Sequence, residues 1–159
     1  MNQSEDDLRE LLWTRLQAIR GSYSDPEKLK TLLMQWEEDA CPKYQHIVDK
    51  LISERADNYW RSISAREGAR VEDLVRTQWE PWTEGEFSIE KTHDGVKVFC
   101  TKCPISDGYR SIGKEDYGFL FHCAEDAHIV TGFNPNIVFK RTKTLMEGED
   151  CCDFYYSMK

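Results

Sequence analysis

Cys123 stands three positions before Asp126, in the stretch where side chains able to do chemistry are densest. Phe121 to Tyr156 reads FHCAEDAHIVTGFNPNIVFKRTKTLMEGEDCCDFYY and holds three of the six cysteines and two of the four histidines. Arg141 lies inside it, followed by Thr142 and Thr144, and Asp153 follows Cys152. A second group, Cys100-Thr-Lys-Cys103-Pro104, lies upstream. An ionised thiol is a nucleophile or a metal ligand, a carboxylate takes or gives a proton, and a guanidinium clamps a carboxylate through two hydrogen bonds. On a helix the spacing of three puts Cys123 and Asp126 on one face. His122 and His128 are further candidate proton carriers, with His122 on a side neighbouring Asp126. Cys151 and Cys152 alternate on a strand, so only one of them can face its buried side.

Each group also has a purely structural alternative. Cysteine is among the most buried residue types and often serves as a small core residue. Asp126 fits a solvated helix face, and Arg141 fits an ion pair with Asp153 across a hairpin. His128 lies on an apolar stripe, where a satisfied buried histidine is the ordinary outcome. His46 and His93 read as surface residues. Trp79 and Trp82 fit either a pocket lining or a buried wall.

The elements that must position these groups fall into two halves. Leu8, Leu11, Leu12, Leu16 and Ile19 repeat at helical spacing after a cap at Ser4, with Asp7 as a weak capping-box partner and Gly21 as the stop. Ser24-Asp25-Pro26-Glu27 starts a second helix with the stripe Leu29, Leu32, Leu33 and Trp36. Cys41-Pro42 breaks the pattern. A long helix from about Lys43 to Glu67 carries Val48, Leu51, Ile52, Ala56, Tyr59, Trp60 and Ile63, with Gly68 as its stop. A short helix through Val71, Leu74, Val75 and Trp79 must finish before Pro81.

From Glu84-Gly85 the period becomes two. Phe87 and Ile89, then Val96 and Val98, flank His93-Asp94-Gly95, a hairpin signal. A loop is predicted through Ser106-Asp107-Gly108 and Gly113. One helix follows over Tyr117 to Gly132, then a turn at Phe133-Asn134-Pro135-Asn136. Strands over Ile137 to Leu145 and Cys151 to Tyr156 close the chain, joined through Gly148. Segregated helices and strands predict an α+β fold: a helical N-terminal half packed on a small, mostly antiparallel sheet with a crossing helix. The chain reads as one domain over residues 1–159.

Length and composition allow a sizeable core without staples: 159 residues, 40% hydrophobic and 12% aromatic. The net charge of −8, with no basic run, argues against a phosphate-backbone partner. The polar, acidic start MNQSEDDLRE lacks a signal-peptide layout, and no apolar run approaches the roughly 20 residues of a membrane span. A cytoplasmic location is the expectation, with no nucleic-acid or membrane partner, and assembly of identical chains stays open. The cysteines are then expected as thiols.

Cys103-Pro104, Cys123-x-x-Asp126, Asn134-Pro135, Arg141-Thr-Lys-Thr144-Leu145 and Gly148-Glu-Asp150-Cys-Cys152-Asp-Phe154 together resemble the L-2-amino-thiazoline-4-carboxylic acid hydrolase family. The resemblance covers roughly the last 60 residues well, and the helical half in outline. Gly148-Glu149-Asp150 departs from the Gly-Asp common in the family. The resemblance implies hydrolytic opening of a thiazoline ring to N-carbamoyl-cysteine. It selects Cys152 over Cys151. Against the needs of that reaction, Cys123, Asp126 and Cys152 are the candidate catalytic groups, with Arg141 as a clamp for a substrate carboxylate and Asn134, Cys103 and His128 as further substrate-binding candidates. No cofactor is implied.

Two other readings remain at this stage. Cys100-x-x-Cys103 is half of a zinc site that Cys123, His122 or Cys152 would have to complete; no second Cys-x-x-Cys or His pair at zinc spacing exists. A non-catalytic small-molecule sensor is the other, on a distant likeness in outline to four-vinyl reductase-type ligand-binding domains.

Overall fold

Leucines at helical spacing build the first layer of the computed structural model, which describes residues 3–40 and 42–159. Helix α1 (Gln3–Arg20) buries Leu12, Leu16 and Ile19, while Leu11 of the same stripe is exposed. The helix already runs from Gln3, so Ser4 lies within its first turn. Helix α2 (Pro26–Asp39) is capped by Asp25, whose carboxylate accepts from Lys28 N at 3.2 Å, and it buries Leu29, Leu33 and Trp36. Cys41, expected at the break, lies outside the described residues.

Helix α3 (Gln45–Glu67) starts two residues later than the pattern suggests and ends on Gly68 at φ 103°. Val48, Leu51, Ile52, Ala56 and Ile63 are buried, but Tyr59 is exposed. Helix α4 (Val71–Gln78) presents Val71, Leu74 and Val75 to the core.

Strands β1 (Glu86–Lys91) and β2 (Gly95–Lys102) form the expected hairpin. With β3 (Ile137–Lys140) and β4 (Cys152–Met158) they make one antiparallel sheet in the order β1-β2-β4-β3. The α+β expectation holds. Across the β2–β4 ladder Val96 faces Tyr156, Val98 faces Phe154, and Cys100 faces Cys152. All six are buried, so these pairs are the inner face of the sheet.

Three expectations are corrected. The loop after Cys103 is helix α5 (Pro104–Ser111), with Cys103 at the N-cap and Pro104 in the first turn. Gly108, read as a loop former, is a close-approach position: a Cβ there would lie 2.1 Å from the carbonyl oxygen of Tyr23. The single helix over Tyr117 to Gly132 is broken. It consists of α6 (Glu115–Phe121), a 3-10 turn (Cys123–Glu125) and α7 (Asp126–Phe133), with His122 at the break. The strand from Ile137 stops at Lys140, because Asp153 takes the next N–H groups out of the ladder. Its Oδ1 accepts from Thr142 N at 2.8 Å and Lys143 N at 2.6 Å.

The apolar side chains form two clusters. One joins the sheet to α4, α7 and the later part of α3. The other joins α1, α2 and the first part of α3 to Tyr109, Phe121 and Met146. Among the described residues no helix is long and apolar enough to cross a membrane.

Candidate functional site

The broken helix opens the seam between the two clusters. A pocket of about 240 Å³ sits there, lined from β2 and α5 by Cys100 and Cys103, from the break by His122, Cys123 and Glu125, and from α7 by Asp126. Arg141, Cys152 and Phe154 close one side; Arg20, Gln78, Trp79 and Trp82 close the other margins. Five sequence-predicted site residues therefore converge: Cys103, Cys123, Asp126, Arg141 and Cys152. Trp79 and Trp82 are pocket lining. Asn134 and His128 are not among the lining residues. Asn134 accepts from Asn136 N at 2.9 Å and donates to Ala69 O at 2.8 Å, which builds the turn before β3. His128 is half-buried on α7.

Arg141 does not pair with Asp153. Its Nη1 donates to Asp126 Oδ2 at 2.6 Å, and Nη1 and Nη2 both donate to the carbonyl oxygen of Cys123 at 3.2 Å. The rings of Phe119, Phe139 and Phe154 lie 5.7, 5.5 and 5.4 Å from its guanidinium carbon. The guanidinium is thus boxed in by aromatic faces and spent on orienting the Cys123–Asp126 segment. The segment after β3 is stiffened in turn. Thr144 Oγ1 donates to Glu147 at 2.6 Å and accepts from Glu147 N at 3.1 Å, and Gly148 supplies φ 92°. That turn aims Leu145 N at Cys152 Sγ, 3.2 Å away.

These contacts split the thiols into two kinds. Cys100 Sγ donates to the carbonyl oxygen of Lys102 at 3.4 Å. Its thiol lies opposite Cys152 on the ladder and lowers the pKa of Cys152, as do the Leu145 N–H and the charge of Arg141. Cys100 itself is raised by the neighbouring Cys152 and by burial. Burial first, then the negative charge of Asp126, raises Cys123, and burial raises Cys103. Cys152 is therefore where a thiolate is favoured, and Cys123 and Cys103 keep their protons.

The carboxyl groups are displaced as well. Burial pushes Asp126 up to about 7 despite the opposing pull of Arg141, and the neighbouring Glu125 adds to the rise. Burial also raises Glu125, against its ion pair with Arg20. His122 is pushed down to about 3 by burial and by Arg20. Its ring is neutral at ordinary pH and lies 3.1 Å from the hydroxyl of Tyr109. Gln78 Nε2 lies 3.5 Å from Asp126 Oδ1, and its Oε1 is buried with no partner among the described residues. Among those residues no group of three or more His, Cys, Asp or Glu side chains is disposed to hold a metal ion.

Sequence reasoning missed Arg20, Glu125 and Gln78. Glu125 had a signal, since it stands between Cys123 and Asp126. Arg20 and Gln78 had none, because each ends a helix far away in sequence and only the packing brings it to the seam.

Fold and pocket describe an α+β protein with a small pocket lined by thiol and carboxyl groups. The chain belongs to the L-2-amino-thiazoline-4-carboxylic acid hydrolase family, whose model matches residues 18–156 and so takes in every pocket-lining residue. No curated protein and no solved structure matches it.

Proposed function

We propose that the protein is a hydrolase that opens a small cyclic amidine of the 2-amino-thiazoline type. The observation that carries this is one small pocket lined by both the Cys152 thiol, which accepts from Leu145 N at 3.2 Å, and the Asp126 carboxyl group, held by Arg141 at 2.6 Å; the surroundings lower the pKa of the first and raise that of the second to about 7. The pocket is below the roughly 300–1,000 Å³ usual for drug-sized ligands and suits a single substituted five-membered ring. The family name points to the same chemistry.

C2 of the ring lies between nitrogen and sulfur and is electrophilic once the ring nitrogen is protonated. The Cys152 thiolate attacks C2, forming an S–C2 bond, and the C=N electron pair moves to the ring nitrogen. The bond from C2 to the ring sulfur then breaks, its electron pair leaves with that sulfur, and protonated Asp126 supplies the proton. The opened chain is held on Cys152 as an isothiouronium. Asp126, now a carboxylate, takes a proton from the water that attacks the same carbon. The C–S bond to Cys152 breaks, the thiolate is regenerated and the hydroxyl proton passes to solvent, leaving N-carbamoyl-cysteine. A carboxyl group near 7 suits both halves, because it must give a proton and then take one. In this reading Arg141 is a positioning residue and Cys123 a protonated neighbour of the reacting carbon.

The test is release of free thiol from L-2-amino-thiazoline-4-carboxylate by wild type, Cys152→Ala and Asp126→Asn, with acid-quenched samples analysed by intact mass. Wild type should turn over and show an adduct on Cys152; both variants should be inactive. Wild-type turnover by Cys152→Ala would remove the thiolate from the reaction.

A further inference from the structure

A substrate carboxylate needs a cation, and the pocket has two, Arg20 and Arg141. Of the five N–H donors of a guanidinium, Arg141 uses both Nη1 hydrogens and one on Nη2 for Asp126 and Cys123 O. Three aromatic rings surround it, and only 11% of its side chain is exposed. That leaves Nε and one Nη2 hydrogen, on a group walled in by those rings and already paired with a carboxylate.

Arg20 is differently placed. It is the last residue of α1 and reaches the seam from the helical layer, with 19% of its side chain exposed. Its Nη2 pairs with Glu125, and Nη1 makes only a long contact with Gln17 Oε1 at 3.5 Å. Among the described residues its other donors have no acceptor. Glu125 and Asp126 are adjacent in sequence and line the same pocket, each paired with one of the two arginines. Of those two, Arg20 is the cation with more donors to spare.

Resting on the reading of the pocket as a cyclic-amidine site, we propose that Arg20 is the residue that binds the substrate carboxylate, so that the pocket selects ring amidines carrying an acidic substituent. Arg20 and Glu125 hold each other in the free protein. A ligand carboxylate shares the guanidinium with Glu125, whose pKa burial raises against the pull of Arg20. His122 cannot compete for the anion, because its ring is neutral.

The experiment uses two inert ring ligands, 2-aminothiazole-4-carboxylate and 2-aminothiazole, titrated calorimetrically into the full chain. Their aromatic rings resist opening, so binding is read without turnover. Wild type should prefer the carboxylated ring by roughly 10- to 100-fold, the range of a charge-assisted hydrogen-bonded contact. Arg20→Lys should keep part of that preference. Arg20→Gln combined with Glu125→Gln, which leaves no unpaired charge behind, should abolish it while 2-aminothiazole still binds. Preference retained in the double variant would overturn the assignment and leave Arg141 as the anchor. Equal binding of both ligands by wild type would overturn it too, while the ring-binding reading survived. If wild type bound neither ligand, the amidine reading of the pocket and this assignment would fall together.

Discussion

Replacing Asp126 by Asn should change how stability depends on pH as well as remove activity. The carboxyl group titrates near 7 in the folded chain against an ordinary 3.8. Below about pH 4 folded and unfolded chains both hold the proton. Between there and about 7 only the folded chain holds it, so stability falls as pH rises. Above about 7 both have released it and this group contributes no further slope. At about 1.4 kcal/mol per pH unit, the ionised carboxylate costs the folded protein on the order of 4 kcal/mol. About a fifth of the Asp126 side chain, 19%, still faces the pocket. Water there tempers the penalty, so that figure is an upper value.

Asn has no proton to lose. It leaves Arg141 without its anionic partner, which costs stability, but Arg141 stays charged throughout this range and that cost is flat with pH. Subtracting one pH from another therefore isolates the carboxyl group. From about pH 5 to about pH 8 the wild type should lose roughly 2–3 kcal/mol that Asp126→Asn does not lose. Glu125 reduces the difference somewhat, because its charge is one cause of the rise at Asp126. Urea unfolding of both proteins at the two pH values measures it. Parallel pH dependences, within about 0.5 kcal/mol, would refute a buried, proton-holding Asp126.

Three further changes have definite outcomes. Cys100→Ala removes the cross-strand thiol that lowers the pKa of Cys152, so the pH midpoint for alkylation of Cys152 should rise by on the order of half a unit to one unit; an unmoved midpoint would mean that the cross-strand neighbour does not tune the thiolate. Asp153→Ala deprives Thr142 N and Lys143 N of their acceptor and should cost about 1–3 kcal/mol in urea unfolding while lowering turnover through a displaced Arg141; loss of stability with turnover intact would separate the segment from the site. Gly132→Ala would put a Cβ 2.6 Å from Asp57 Cα, so α3 and α7 must part, and unfolding should show a loss of about 1–3 kcal/mol; a neutral substitution would show that the two helices are not in close contact.

The helices, the first hairpin and the inner face of the sheet were legible because each rests on a local period. Leu12, Leu16 and Ile19 repeat at helical spacing, and Val96, Val98 and Cys100 alternate. The errors share a cause. Ser106 and Gly108 looked like loop residues, yet both lie in α5, and Gly108 is glycine because α5 lies against the backbone of Tyr23. Tyr117 to Gly132 keeps a helical period straight through His122, so the pattern conceals the break. The strand after Ile137 kept its strand-like composition to Leu145, but it ends where Asp153 takes Thr142 N and Lys143 N. Propensity and period describe a segment by itself; these three features are set by a partner distant in sequence. The same limit explains the site. Cys123, Asp126, Arg141 and Cys152 were visible as residue types, and the family pattern grouped them. Arg20 was invisible, since nothing near Gly21 marks the end of a core helix as a pocket wall.

The break at His122 is what turns ordinary packing residues into a site. In an unbroken helix Asp126 would sit mid-helix. Here Asp126 opens α7, and the Cys123 carbonyl, which accepts from Asp126 N in the 3-10 turn, also accepts from both Nη atoms of Arg141. An acid at a helix start is ordinarily stabilised as an anion by the helix dipole and by water. Asp126 instead faces a seam between two apolar clusters, and desolvation outweighs both that dipole and an arginine 2.6 Å away. The excess of desolvation over these opposing influences brings the group to about 7, which is the range a proton-transferring group requires at neutral pH. The sheet does the complementary job from the other side. Pairing Cys100 with Cys152 on the buried face sets two thiols opposite each other and favours ionisation of Cys152, which lines the same pocket as Asp126. Acid–base group and nucleophile thus come from separate elements, and only closure of the helical layer onto the sheet assembles them.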